Sequence, residues 1–343
     1  MILRDAFAAI KLFNAALNLC GDLALLSIAV FRVAWRSLHI HTLQWYRSHD
    51  LTFLVAIFVV LFGLAFGSFL NVCISRLPRH ESIVRPRSRC PRCGAAIQSR
   101  DNIPILSWIL LRGRCRHCRE RIAWRYPAVE FATAALFVLC YLRFGLTVTG
   151  VGMAALCFLL LGLAAMDAET MRLPDAFTWP GIVLGILYSG ISLGFFRIFP
   201  QALILPWGLG IRIPHGSSAA LRLTIVAMAA SALWALLAAL LLLLIRWLYI
   251  LVRHQEGLGM GDVKLIAMIA AWLGPLPTIL TLLLGALAAA VFGILAVALS
   301  KGKRPFLTTR LPFGTFLCAA AIYAIFAGAP IIAWYLRFYS IDY

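Results

Sequence analysis

Acid is what this chain has least of. Among 343 residues there are thirteen Asp and Glu against thirty-one Lys and Arg, and charged residues of both signs reach only 13%. A soluble domain carries about 25% charged and about 45–50% apolar residues, whereas this chain is 63% hydrophobic. So little charge excludes a soluble globular domain, which could not hide this much apolar surface. No solenoid-type repeat is visible, and no glycine-rich nucleotide-binding turn that would mark a Rossmann domain. The apolar stretch from Ala6 to Val33 lacks the small-residue cleavage pattern of a signal peptide.

What is present is a series of apolar runs about 20 residues long, enough to span a hydrocarbon core of about 30 Å as helix. In lipid the backbone must satisfy its own hydrogen bonds, so the expected class is an all-α, polytopic integral membrane protein. The runs predict about eight core transmembrane helices, at 51–75, 127–145, 150–166, 176–196, 223–250, 262–275, 277–299 and 313–336. Residues 1–50 read as an N-terminal extension, either an interfacial helix or an extra span. Residues 76–126 form a basic loop, and 127–343 the remaining membrane core.

Between Arg76 and Arg125 the sequence has thirteen Arg, no Lys and three acids. A net charge of +18 could signal nucleic acid, but this cluster lies between hydrophobic spans. It reads as a cytoplasmic loop obeying the positive-inside rule and favouring anionic headgroups, with no nucleic-acid partner expected. With that loop inside, a second basic loop at Lys301, Lys303 and Arg304 also falls inside. The 197–222 segment and Tyr343 fall outside.

Four of the nine Cys lie in the basic loop as Cys90-Pro-Arg-Cys93 and Cys115-Arg-His-Cys118. The two CxxC pairs have nearly the spacing of zinc ribbons, and four thiolates suit one tetrahedral Zn2+. Redox pairing is the competing reading, disfavoured in a reducing compartment. His117 could compete as a ligand. A metal would supply the core that so short a loop lacks, with Trp108 and Trp124 packing on it.

Ionisable groups in a membrane helix cost about 2.5–3.5 kcal/mol each, so the few acids after Tyr126 are functional candidates. Asp167 closes one apolar run and is followed by Glu169 and Asp175. Asp262 opens another, inside Gly257-Leu-Gly259-Met-Gly261-Asp262-Val-Lys264. The topology puts Asp167 and Asp262 at the same membrane depth, 95 residues apart in sequence. Two carboxylates that met there would share a proton, one serving as base on water and the other as acid. The glycines would admit an extended substrate. Paired acids could equally relay protons in a transporter. Asp262 could also be no more than a dipole-favoured helix-terminal acid. Lys264 either tunes Asp262 or snorkels to the interface.

The segments Asp167-Ala-Glu-Thr-Met-Arg-Leu-Pro-Asp175 and Gly259-Met-Gly-Asp262-Val-Lys264 resemble the signature motifs of the bacterial prepilin peptidases, which are GxGD aspartyl proteases. Gly67-Ser-Phe-Leu-Asn71-Val, the double CxxC loop and Arg125-Tyr-Pro-Ala-Val-Glu130 are similar to the same family, in the same order. The resemblance covers about residues 51–335. It implies an aspartyl endopeptidase with Asp167 and Asp262 as the catalytic pair, acting at the cytoplasmic face of the bacterial inner membrane. The implied substrates are type IV prepilins or type II secretion pseudopilins with short basic leaders. It also implies S-adenosylmethionine-dependent N-methylation, with Asn71, Glu130 and the basic loop as candidates for that site. Residues 1–50 and the long 197–222 segment depart from the family pattern. The rival readings are a proton-coupled transporter and a non-enzymatic pilus-assembly scaffold.

Overall fold

The computed structural model describes residues 49–198, 217–255, 257–299 and 311–339. The N-terminal extension up to residue 48, most of the 197–222 segment, the second basic loop and Tyr343 lie outside the described residues. Helices are α1 (His49–Arg76), α2 (Leu106–Leu110), α3 (Arg125–Phe144), α4 (Val148–Thr170), α5 (Asp175–Ile198), α6 (Ser217–Arg253), α7 (Met260–Leu273), α8 (Pro275–Leu299) and α9 (Phe313–Tyr339). All but the short α2 occupy the predicted spans, and the protein is a polytopic all-α membrane protein. The described residues contain no strand, only two isolated bridges in the basic loop.

Six helices, α1, α3, α4, α6, α8 and α9, are long and apolar enough to cross a membrane, among the described residues. Helix α5 has 24 residues. Helix α7 has only 14 residues, about 21 Å at about 1.5 Å per residue. That falls short of a full crossing of about 30 Å. It survives in the bundle because Val263 and every residue from Leu265 to Leu273 are buried. Helix α6 runs the other way, with 37 residues. Residues 217–222, expected in an external loop, are its first turns.

Apolar burial gives helices no net attraction in lipid, so close backbone approach and interhelical hydrogen bonds hold the bundle. Gly63 and Gly67 of α1 lie against α3, where an added Cβ would come within 2.6 Å of the Cα atoms of Ala134 and Glu130. Gly181 and Gly185 of α5 likewise receive Met268 and Trp272 of α7. The Trp272 indole donates to the Gly181 carbonyl at 2.8 Å. Ser231 of α6 donates to the Ala271 carbonyl at 2.7 Å. These contacts lock α7 among its neighbours and fix where its N-terminus, and hence Asp262, is held.

Candidate active site at the meeting of helix ends

Asp167 lies in the last turn of α4. The helix stops four residues later, where Met171 takes a left-handed conformation (φ 52°) and its N–H returns to the Asp167 carbonyl at 2.8 Å. Asp262 lies in the first turn of α7, three residues after the capping Gly259. Its carboxylate accepts the Gly259 backbone N–H, the return half of a capping box. An acid there also faces the positive end of the α7 dipole.

Asp167 gains the same advantage from a different helix. Its Oδ2 accepts the Thr315 backbone N–H at 2.7 Å and lies 3.0 Å from the Thr315 hydroxyl. That hydroxyl also lies 3.1 Å from the Ala164 carbonyl, so its single proton serves one acceptor at a time. Thr315 belongs to the first turn of α9, whose leading amides have no partner within the helix. Gly314 makes the approach possible, since a Cβ there would come within 3.1 Å of the Asp167 Cγ. Gly314 and Thr315 are the residues that reading the sequence missed. Their only local signal is Pro312-Phe-Gly-Thr before an apolar run, a common way to start a helix.

The two carboxylates line one cleft of about 400 Å³ and act on each other electrostatically. Asp175, Gly259 and Gly261 line it too, with Leu77, Pro78 and His80 from the turn that follows α1. Gly257 does not, because it packs against the Tyr249 ring. Lys264 pairs with Asp175 at 2.5 Å. Glu169 pairs with Arg125 at the start of α3, tying the two halves of the chain together beside Asp167. Asn71 and Glu130 meet each other's helices instead of the cleft. The Asn71 amide donates to the Tyr126 carbonyl at 2.9 Å, and Glu130 Oε2 accepts the Ile105 N–H at 2.7 Å.

The bacterial peptidase A24 N-terminal domain matches residues 61–144, and the type IV leader peptidase family matches residues 154–294. A prepilin leader peptidase/N-methyltransferase of Burkholderia pseudomallei is 34% identical over 300 residues, covering 80% of this chain and 85% of its own. The protein of the same name from Pseudomonas aeruginosa is 32% identical over 319 residues, covering 86% and 98%. The chain belongs to the type IV leader peptidase family. A Myxococcus xanthus relative of the same name is 38% identical over 250 residues, covering 73% of this chain and 65% of its own. No solved structure matches the chain. Membership in this family supports the peptidase reading and neither the transporter nor the scaffold.

The matched N-terminal domain includes the basic loop, where the four predicted thiols converge. The sulfurs of Cys90, Cys93, Cys115 and Cys118 lie within 4.8 Å of one another, with Cys90 and Cys118 3.8 Å apart. Zn–S bonds of about 2.3 Å in a tetrahedron put sulfurs about 3.8 Å apart, so the set fits one Zn2+. The two halves are built alike. Gly94 N–H donates to the Cys90 carbonyl, and Arg119 N–H to that of Cys115. Both donors have positive φ, 70° and 59°. Antiparallel bridges close each turn at Arg89–Ala96 and Arg114–Arg121. Backbone N–H groups of Cys118 and then His117 lower the Cys115 thiol to about 6. At Cys118 the Glu120 N–H favours the thiolate, but desolvation and the three other sulfurs outweigh it and push the thiol up to about 12. Holding all four sulfurs as thiolates this close would need a cation between them. Trp108 packs on the second turn, its indole donating to the Ile122 carbonyl at 3.2 Å. Trp124 does not pack there as expected and is 76% exposed.

Proposed function

We propose that this chain removes the basic leader of type IV prepilins or type II secretion pseudopilins by aspartyl proteolysis. The observation that carries the reading is the convergence of Asp167 and Asp262, from helices far apart in sequence, on one cleft. Thr315 fixes Oδ2 of Asp167, which leaves Oδ1 for a water. One carboxylate takes a proton from that water as it attacks the scissile carbonyl, and the other protonates the departing amine. Gly259 and Gly261 leave room for an extended peptide at the mouth of α7. Residues 76–126 act as a zinc-stapled loop beside a protease core formed by 127–343. The protein works in the bacterial inner membrane with its cleft on the cytoplasmic side, and a reporter fused after Arg100 should read cytoplasmic.

N-methylation of the new N-terminus is the second activity, supported by the name its relatives share. S-adenosylmethionine would supply the methyl group; of the two candidate residues for its site, Asn71 keeps a buried side-chain oxygen without a partner and Glu130 is already engaged. They are 3% and 8% exposed, and Glu130 holds a loop amide. Co-expression with one pilin-like substrate, read by intact mass, tests both activities. Loss of the leader supports the peptidase, and an added methyl mass supports the transferase. An uncut substrate in the presence of folded, inserted protein overturns the reading.

A further inference from the structure

Glu130 is an acid inside a membrane helix, yet it lies away from the aspartate cleft. It is five residues beyond Arg125, about 7.5 Å down α3 at about 1.5 Å per residue. There its carboxylate accepts the Ile105 N–H and the Ser68 hydroxyl. Ile105 belongs to the basic loop, so the loop does not stay wholly beyond the end of α3. It descends beside α3 to the level of Glu130. The chain reverses there in a tight turn, with Ile105 at φ 59° and the Leu106 N–H returning to the Pro104 carbonyl at 2.5 Å. A β-branched residue at positive φ is a rare, strained arrangement, and the Glu130 carboxylate pins it.

Helix α2 follows at once; Ser107 and Trp108 turn toward the loop, but its other side chains do not fold inward. Leu110 is 72% exposed and Ile109 58%, with Ile103 and Leu106 also exposed. At the same depth on α3, Phe131 is 66% exposed, as lipid-facing residues are. Arg100 and Arg112 flank the segment and are exposed. An apolar turn bracketed by Arg, about 7.5 Å below the start of a span, matches an interfacial element, which lies about 5–10 Å into the headgroup–acyl boundary. We propose that residues 103–110 are a re-entrant anchor that inserts α2 into the anionic bilayer the spans already occupy, clipped there by Glu130. The anchor fixes the height of the zinc-binding turns over the membrane, because Trp108 joins α2 to the second of them.

The test uses the full chain in nanodiscs of phosphatidylcholine and phosphatidylglycerol, with or without brominated acyl chains. A small fluorescent amino acid replaces Leu110, Leu106 or, as a solvent control, Arg92. Bromine should quench the first two at least about twofold more strongly than the third. Glu130→Gln, which keeps an acceptor, should preserve the difference, and Glu130→Leu should reduce it while a probe at Phe131 stays quenched. Equal quenching at 110 and 92 overturns the proposal. So does a probe at 110 that ignores bromine but responds to an apolar pilin-like peptide, which would make the patch a protein-docking surface. Persistence of the difference in Glu130→Leu overturns the clip.

Discussion

The thiol site and the aspartate cleft are built on opposite plans. Each half of the thiol site is a turn of four residues, closed by its own backbone bonds and repeated 25 positions later in the same register. It has almost no apolar core, since Cys93 and Cys118 are exposed. The cleft instead draws Asp167, Asp262 and Thr315 from three helices, with Thr315 148 positions from the acid it holds. Asp167 is buried and Asp262 and Thr315 are partly buried. A local site of this kind must be held by a ligand, whereas a site assembled over long range is held by packing. Damage to one should therefore leave the other standing.

The sharpest break in that comparison removes the carboxylates. Asp167→Asn and Asp262→Asn should each lower leader cleavage by more than about 10³-fold, because an amide can be neither base nor acid. Zinc content and membrane insertion should be unchanged, since Asn is nearly isosteric and removes a buried charge. Leader removal by intact mass, with metal analysis alongside, checks this. Appreciable cleavage by either variant would end the dyad mechanism.

The reciprocal break removes the metal. Purified protein should hold about one zinc per chain, and the Cys90→Ser, Cys93→Ser double variant should hold none. The basic loop should then become protease-sensitive, as small sites whose folding energy is the metal's do. Helix content, read by circular dichroism, should stay, because none of the interhelical contacts around α7 involves the loop. Full metal retention in the double variant would remove zinc from these thiols.

A finer probe lies inside the cleft. Thr315→Val deletes the hydroxyl but keeps the N–H on Asp167, and should lower kcat about tenfold while leaving KM alone. Thr315→Ser should restore the rate. Gly314→Ala should cost more, about 100-fold, because its Cβ would displace the carboxylate. Equal rates for Val and Ser at 315 would reduce Thr315 to a helix-start residue.

How much of this was open to reading from the sequence follows the same division. The spans show because a bilayer forces each to be one continuous apolar run, and the thiol site shows because its ligands are close in sequence. Asp167 and Asp262 stand out because acid is so scarce. Thr315 does not, since a hydroxyl before an apolar run looks like any helix start and its partner is 148 positions away. That α7 is only a buried half-span is hidden for a related reason. Hydropathy reports that a segment is apolar, and not whether lipid or protein surrounds it. Glu130 was visible as an intramembrane acid, but its partner is a backbone amide in a loop, which no side-chain pattern reveals.

The smallest expected effect concerns Lys264, whose position invites a larger role. Two residues past Asp262, it could be taken as the cation that sets that acid's charge. Its ammonium instead reaches the Asp175 carboxylate, across from α7 to the first turn of α5. The Asp175 side chain is 62% exposed and that of Lys264 26%, so solvent screens the pair, and exposed pairs contribute about 0–1 kcal/mol. Lys264→Met and Asp175→Asn should therefore each change cleavage by less than about fivefold, and the double variant should be no worse than either single. A pair that only joins two helix starts must behave in that non-additive way. If Lys264→Met alone lowers kcat strongly and moves the pH profile, while Asp175→Asn does neither, then Lys264 acts on Asp262 itself. The cleft would in that case depend on a local sequence neighbour as the thiol site does, and the contrast between the two regions would weaken at the residue where it is easiest to measure.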